Sequence, residues 1–507
     1  MDREHLCHDC GCVRNPIALD ICKELGHDID EGDEFKGVLT REEHGLNPIS
    51  EIKNKAPKIE KIVKGKFGDI FVESIYIDGE PHFLANVNGK IKLSKQFEFE
   101  GKIIVPIGRE DTPYEPYEFS KSYIDLLRNN PPTKEKLLEQ LEAKIRRYID
   151  TTDTNRIVIL IDTFLTYCQD QIDTVHYLFI VGDTESGKST IGYLFKIVGY
   201  RVLYQTDLNY AGIYNFYGTQ EEATGTIIED EAQNLDSNKD KIRLYKNGYT
   251  RGSRHAIVVG KDTGHKHQIY YNTFGFKIFI GENIPYDKGF RERLVVLRMN
   301  TGFPEANIKR LTPEEKEDFI LLRNELLFYK VAHISEKLPL VETGLSNRDE
   351  ELFADFIRIA SGTKYEESAR EVVKQFTKER HESIHNSLEA KLFELIVLQI
   401  DEKILIVFED FWKYLTEEQD TIKGRLDKET FFSYDHGKIT RHKVAQILTD
   451  KFQAKKEIIH RERKQVTAYL FNPKTLIKLV EKYGITLSLD HQLYRERPTQ
   501  ETNKDEL

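Results

Sequence analysis

The stretch GDTESGKS, residues 182 to 189, limits what this chain can fold into more than any other feature. It lies between an apolar run, HYLFIV (176–181), and a helix-forming segment, TIGYLFKIVG (190–199). The spacing G-x-x-x-x-G-K-S lets backbone N–H groups close around phosphates at a helix N-terminus, whose dipole favours an anion. Gly182 and Gly187 provide the turns, and Asp183, Thr184, Glu185 and Ser186 span them. Lys188 is placed to reach the β- and γ-phosphates, while Ser189, followed by Thr190, offers a hydroxyl to magnesium. Strand, loop and helix in this order predict an α/β core with a parallel sheet, and ATP with Mg2+ as its ligands.

The phosphate loop alone does not decide the fate of the nucleotide it holds. The segment GTIIEDEAQN (225–234) reads as a short buried strand ending in acids. Asp230 is expected to hold the magnesium and Glu231 to orient the attacking water; a one-residue register shift would bring in Glu229. The strand in FGFKIFIGENIP (274–285) places Asn283 as a second group for that water. GFRERLVVLRM (289–299) puts Arg291 and Arg293 just before another strand. Arg293, with Arg291 in reserve, is expected to reach the nucleotide of a neighbouring subunit; a surface salt bridge is the plainer alternative. These residues favour hydrolysis over a small-molecule kinase.

At 507 residues the chain is long enough for several domains, and its net charge of -11 confines any affinity for nucleic acid to local patches. One such patch is the hairpin pattern in TRGSRHAIVVGKDTGHKHQIYYN (250–272), with Arg251, Arg254, Lys261 and Lys266 against Asp262. It is a candidate contact for single-stranded DNA. A second patch comes after two apolar helices near the C-terminus: Arg441, Lys443, Lys455, Lys456, Arg461 and Arg463, on a helix–turn–strand–strand pattern that reads as a winged helix for duplex DNA or a protein partner. Near the other end, Cys7, Cys10, Cys22 and His27 form a candidate zinc set, with Cys12, His5 and His8 competing, free thiols being the plainer alternative.

The expected organisation is a possible zinc-knuckle segment (1–34), a small β-rich domain (35–112), a helical linker or collar (113–175), the P-loop core (176–310), a helical lid (311–380), a winged helix (384–490) and a disordered tail (491–507). No apolar stretch approaches the ~20 residues of a membrane span. The first residues lack an apolar signal core, and the terminal KDEL reads as coincidence, so a cytoplasmic protein is expected.

The order of motifs resembles the AAA+-related superfamily-three helicases, and more narrowly the helicase-type ATPases of phage, plasmid and archaeal mobile replicons. The narrow resemblance rests on LYKNGYTRGSRHAIVVG, on NTFGFKIFIGENIPYDKGFRERLVVLRM, and on GLSNRDEELFADFIRIA, and covers about residues 120 to 375. It implies a homo-oligomeric ring, expected to be a hexamer, with Lys261 and Lys266 lining a DNA channel and Arg348 as a nucleotide-contacting lid arginine. The chain departs from the pattern in GEN (281–283) and in lacking a primase half. The expected function is an ATP-dependent DNA helicase or translocase for replicating such an element. The alternative is a DNA-bound ATP-hydrolysing switch.

Overall fold

Three dipeptides set the register of hairpins in the first two sheets. Asp78–Gly79, Asn88–Gly89 and Glu100–Gly101 all have positive φ, from 49° to 87°, as the two-residue turns of tight hairpins require. In this computed structural model, which describes residues 58–206, 208–219, 225–259, 267–345, 347–385, 387–400, 404–416 and 440–485, they join successive strands. The strands are β1 (Lys58–Ile62), β2 (Lys64–Phe67), β3 (Ile70–Ile77), β4 (Glu80–Val87), β5 (Lys90–Ser94), β6 (Phe97–Phe99), β7 (Lys102–Pro106) and β8 (Glu118–Phe119). The meander β2-β3-β4-β5 carries β8 beside β3, and β1-β7-β6 forms a second sheet. Val72, Phe83, Phe97 and Ile104 are buried between them.

This β-rich part is fastened to the rest by buried charge. Glu73 on β3 accepts the Tyr200 hydroxyl (2.6 Å) and pairs with Arg201, both residues from the loop after the P-loop helix. Lys330 lies 3.3 Å from the same carboxylate and also pairs with Asp170, which meets Lys64 of β2 at 2.5 Å. Burial alone would push the Asp170 carboxyl up, but Lys330 and Lys64 outweigh it and hold it below the usual range. Burial wins at Lys64, whose ammonium falls to about 8. The helix Pro313–Ala332, started by a Thr312–Glu315 capping box, brings Lys330 to the cluster. Its last carbonyls accept from Asn86 of β4.

The central sheet consists of β9 (Tyr177–Gly182), β10 (Val202–Gln205), β11 (Thr226–Glu229), β14 (Lys277–Gly281) and β15 (Leu294–Met299). Their order is β10-β11-β14-β9-β15, every pair parallel. Continuous apolar runs such as Tyr-Leu-Phe-Ile-Val fit strands covered on both faces. Between β11 and β14 lies the antiparallel hairpin β12 (Arg254–Val259) and β13 (His267–Asn272). The helices Lys134–Tyr148 and Asp153–Cys168 precede β9. The molecule is thus a mixed α/β protein of more than one unit, with a parallel sheet at the centre of the first.

One helix of the segment expected as a helical lid (311–380) docks near the start of β9. Helix Asn347–Ala360 buries Leu352, Phe353 and Phe356, and His176, just before β9, packs against both of these phenylalanines, tilted to the first and edge-on to the second. His176 Nδ1 meets the Leu352 carbonyl at 3.1 Å, and its Nε2 meets Asp162 Oδ1 at 2.9 Å. This helix is therefore docked at the starting end of the strands, not the end where the phosphate loop emerges.

Residues from Lys374 onward form a second unit. Helices Leu388–Gln399, Phe408–Thr416, Arg441–Gln446 and Pro473–Tyr483 surround a sheet ordered β16 (Leu405–Val407), β18 (Lys464–Leu470), β17 (Lys455–Arg461). Phe393, Phe452, Tyr469 and Leu476 lie in its core. Glu462 and Arg463, both at positive φ, turn β17 into β18. Among the described residues no helix is long and apolar enough to cross a membrane. Cys7, Cys10, Cys22 and His27 lie outside the described residues, among which no group of three metal-binding side chains occurs.

Candidate nucleotide site

The loop leaves the C-terminal end of β9 and passes directly into helix Lys188–Val198. Glu185 (φ 64°) and Gly187 (φ 85°) adopt the left-handed conformation from which anion-binding nests are built. A Cβ at Gly182 would collide with the Met299 carbonyl and the Ser186 side chain, so the start of the loop has room only for glycine. Lys188 Nζ donates to the carbonyls of Gly182 and Asp183, the latter at 2.6 Å. Thr184 Oγ1 donates to Glu282 Oε1 (3.3 Å), tying the loop to the end of β14. Ser186 Oγ is buried and has no hydrogen-bond partner among the described residues. Ser189 and Thr190 lie half-buried in the first helical turn.

The three consecutive acids at the end of β11 have different surroundings. Glu229 is buried, paired with Lys241 and accepting the Tyr245 hydroxyl at 2.6 Å. Asp230 is half-buried: its Oδ2 accepts the Tyr204 hydroxyl (2.6 Å) and its Oδ1 accepts the Glu231 backbone N–H (3.0 Å). Burial and this hydrogen bond to Asp230 raise the Tyr204 phenol above its ordinary range, so it stays a donor. Glu231 is exposed, with φ 58°, at the start of the short turn Ala232–Ser237. Asn283 is also exposed, two residues beyond the end of β14 at Gly281. The phosphate loop, Asp230, Glu231 and Asn283 thus share one end of the sheet. The backbone cradle, the unpartnered Ser186 hydroxyl, and the hard oxygens of Ser189 and Asp230 fit a magnesium nucleotide.

The predicted arginines lie at the other end. The Arg293 carbonyl accepts from Tyr177 N–H at the first residue of β9 (2.8 Å). Five strand steps, about 17 Å at ~3.3 Å each, separate Tyr177 from Gly182. Arg293 and Arg348 share the ring of Tyr249, with guanidinium carbons 4.3 and 4.5 Å from its centroid. Arg293 also donates to the Gly289 carbonyl, and Arg348 to Glu351 (2.6 Å). Burial and the neighbouring Arg348 charge lower Arg293 below the usual arginine range. Arg291 is exposed. Arg348 is therefore not brought to its own chain's phosphate loop, because its helix docks at the start of β9.

The basic residues separate in the same way. Arg251 Nε donates to the Ile172 carbonyl (2.9 Å), its Nη2 to that of Gln169, and its guanidinium covers Phe274 at 4.9 Å. It braces the approach to β9 and is not on the hairpin. Arg254 is exposed at the hairpin base, opposite Asn272, whereas Lys261 and Lys266 lie outside the described residues. In the second unit Arg441 is held by Glu409 in a two-bond pair, Arg461 by Asp410, and Lys455 by Glu457. Lys456 and Arg463 are exposed and Lys443 half-buried. Sequence reasoning missed Tyr204 and Glu282, the direct neighbours of Asp230 and of the loop. The only trace of Tyr204 was an aromatic in an otherwise unremarkable strand pattern, VLYQ.

No family model matches the chain, and none of the curated proteins does. Among solved structures, the apo C-terminal region of NrS-1 aligns over 79% of this chain and 96% of its own length. That alignment has 12% identity and a TM-score of 0.34. A ligand-bound JCV helicase aligns over 51% of this chain and 72% of its own, with 13% identity and a TM-score of 0.21.

Proposed function

We propose that the chain hydrolyses ATP with magnesium and uses the cycle to move along or separate DNA strands, as an AAA+-type ring of identical subunits. One observation carries the hydrolytic part: Lys188 and Ser189 on the loop, Asp230 and Glu231 on β11, and Asn283 after β14 emerge together from one end of a single parallel sheet. The loop's N–H groups and Lys188 bind the polyphosphate, and Lys188 exchanges carbonyl partners for phosphate oxygens. Ser189 and Asp230 would hold the magnesium, which neutralises charge on the β- and γ-phosphates when bound. Tyr204 fixes the Asp230 carboxylate by donating to Oδ2. Glu231 accepts a proton from the attacking water and orients it, helped by the Asn283 amide. Arg293 sits too far from its own loop to serve it, so it completes the site of an adjacent copy, with Arg348 beside it.

The DNA part rests on the hairpin β12–β13, with Arg254 at its base and Lys261 and Lys266 in the sequence between its strands, and on the second unit, read as a winged helix with Lys456 and Arg463 outward. Strand displacement on forked DNA tests the whole reading. The native chain should hydrolyse ATP and separate the strands, while Lys188→Ala loses nucleotide-driven activity and Glu231→Gln binds ATP but turns it over at least ~100-fold more slowly. Hydrolysis without displacement would leave the DNA-bound switch as the better account.

A further inference from the structure

We propose that Phe303 is the nucleobase-stacking residue of the nucleotide site, an inference that rests on the ATPase reading and extends it. The sheet order gives the direction. Asp230 and Asn283 come after β11 and β14, on one side of β9, while β15 lies on the other. A triphosphate gripped by Lys188 with its γ-end toward Asp230 and Glu231 must run its α-phosphate, sugar and base toward β15. β15 ends at Met299, whose carbonyl lies against Gly182, the first glycine of the loop. Four residues later Phe303 is displayed with 89% of its surface exposed.

The backbone that carries this ring is braced. Phe303 N–H donates to Asp150 Oδ2 (2.9 Å), and a Cβ on Gly302 would lie 2.9 Å from the Asp150 Cβ. Ala306 N–H donates to the Arg147 carbonyl (3.1 Å), and Asn155 Nδ2 ties the Arg298 carbonyl (3.1 Å) to Thr151. Beyond it, Lys309 lies 5.0 Å over the ring of Tyr193, on the helix that the loop itself starts. A large apolar side chain is thus held in water on a fixed support at the nucleoside end of the site. A flat aromatic surface there suits a base, and because every base has a π-face the grip should be tolerant of base identity.

Equilibrium competition against a fluorescent ATP analogue on the full chain tests this, with ATP and inorganic tripolyphosphate as competitors. Phe303→Ala should weaken ATP about tenfold, the value of one aromatic–base stack, and leave tripolyphosphate affinity and kcat at saturating ATP within about twofold. Phe303→Trp should restore ATP affinity and, measured against the background of Trp412, show fluorescence quenched by ATP but not by tripolyphosphate. Unchanged ATP affinity in Phe303→Ala, or equal weakening of ATP and tripolyphosphate, would overturn the stacking role alone. A native chain that binds neither competitor would overturn the ATPase reading and this inference together.

Discussion

Beyond the C-terminal ends of β9, β11 and β14, the side chains of Ser189, Asp230, Glu231 and Asn283 are half-buried or exposed. At the starting ends of the same strands the polar groups are drawn into the packing, His176 and Lys277 fully buried and Arg293 and Arg348 half-buried. His176 bridges Asp162 and the Leu352 carbonyl, and Arg293 and Arg348 share Tyr249. Lys277, the first residue of β14, gives its buried ammonium to the carbonyls of Gly275 (2.8 Å), Thr273 (3.0 Å) and Gly248 (3.3 Å). Parallel strands aim their C-terminal loops at ligands and leave their starts for packing. One sheet therefore separates the proposed chemistry from anchorage, and Arg293 falls on the anchoring side of the chain.

That placement gives the test with the largest expected effect. If Arg293 serves a neighbour, Arg293→Ala should lower steady-state hydrolysis about a thousandfold with ATP binding unchanged. Mixing it with inactive Lys188→Ala should then recover activity, since some interfaces pair an intact loop with an intact arginine. No recovery would return Arg293 to a purely anchoring role. Within the acidic triplet, Glu229→Ala removes the buried carboxylate that pairs with Lys241 and should cost about 3 kcal/mol in denaturant unfolding. Asp230→Ala should stay within about 1 kcal/mol of the native chain yet lose hydrolysis. Equal stability losses would erase the distinction between these neighbours.

The smallest effect concerns pH. Burial opposes charge on His176, but Asp162 outweighs it and raises the imidazole above its ordinary value; burial raises Asp162 as well. The folded pair therefore holds a proton more tightly than the unfolded chain. The histidine's contribution is fully present below about pH 6.5 and fades as pH rises through its folded value, by at most ~1.4 kcal/mol per unit. Thermal unfolding of His176→Gln should lack this slope. A slope that survives would place its origin elsewhere.

How far the sequence could be read depends on how local each signal is. The glycine-bearing turns and the phosphate loop are set by a few adjacent residues, so Asp78–Gly79 and GDTESGKS pointed to their own geometry. The cluster of Lys64, Glu73, Asp170, Arg201 and Lys330 draws on segments more than 200 residues apart, and each member alone looks like an ordinary surface charge. Arg251 misled for the same reason. Its position in a basic run suggested DNA, whereas its side chain turns to carbonyls 79 and 82 residues earlier. The docking of helix Asn347–Ala360 depended on His176, a residue whose aromatic and carboxylate partners the linear pattern could not bring together.

The left-handed backbone at Glu231 has a practical consequence for anyone improving this protein. A non-glycine residue at φ 58° carries about 1 kcal/mol or more of strain. Directed evolution for heat resistance would be drawn to glycine or asparagine at this position. The hardiest clones from such a screen would then be those that had lost the residue assigned to the attacking water.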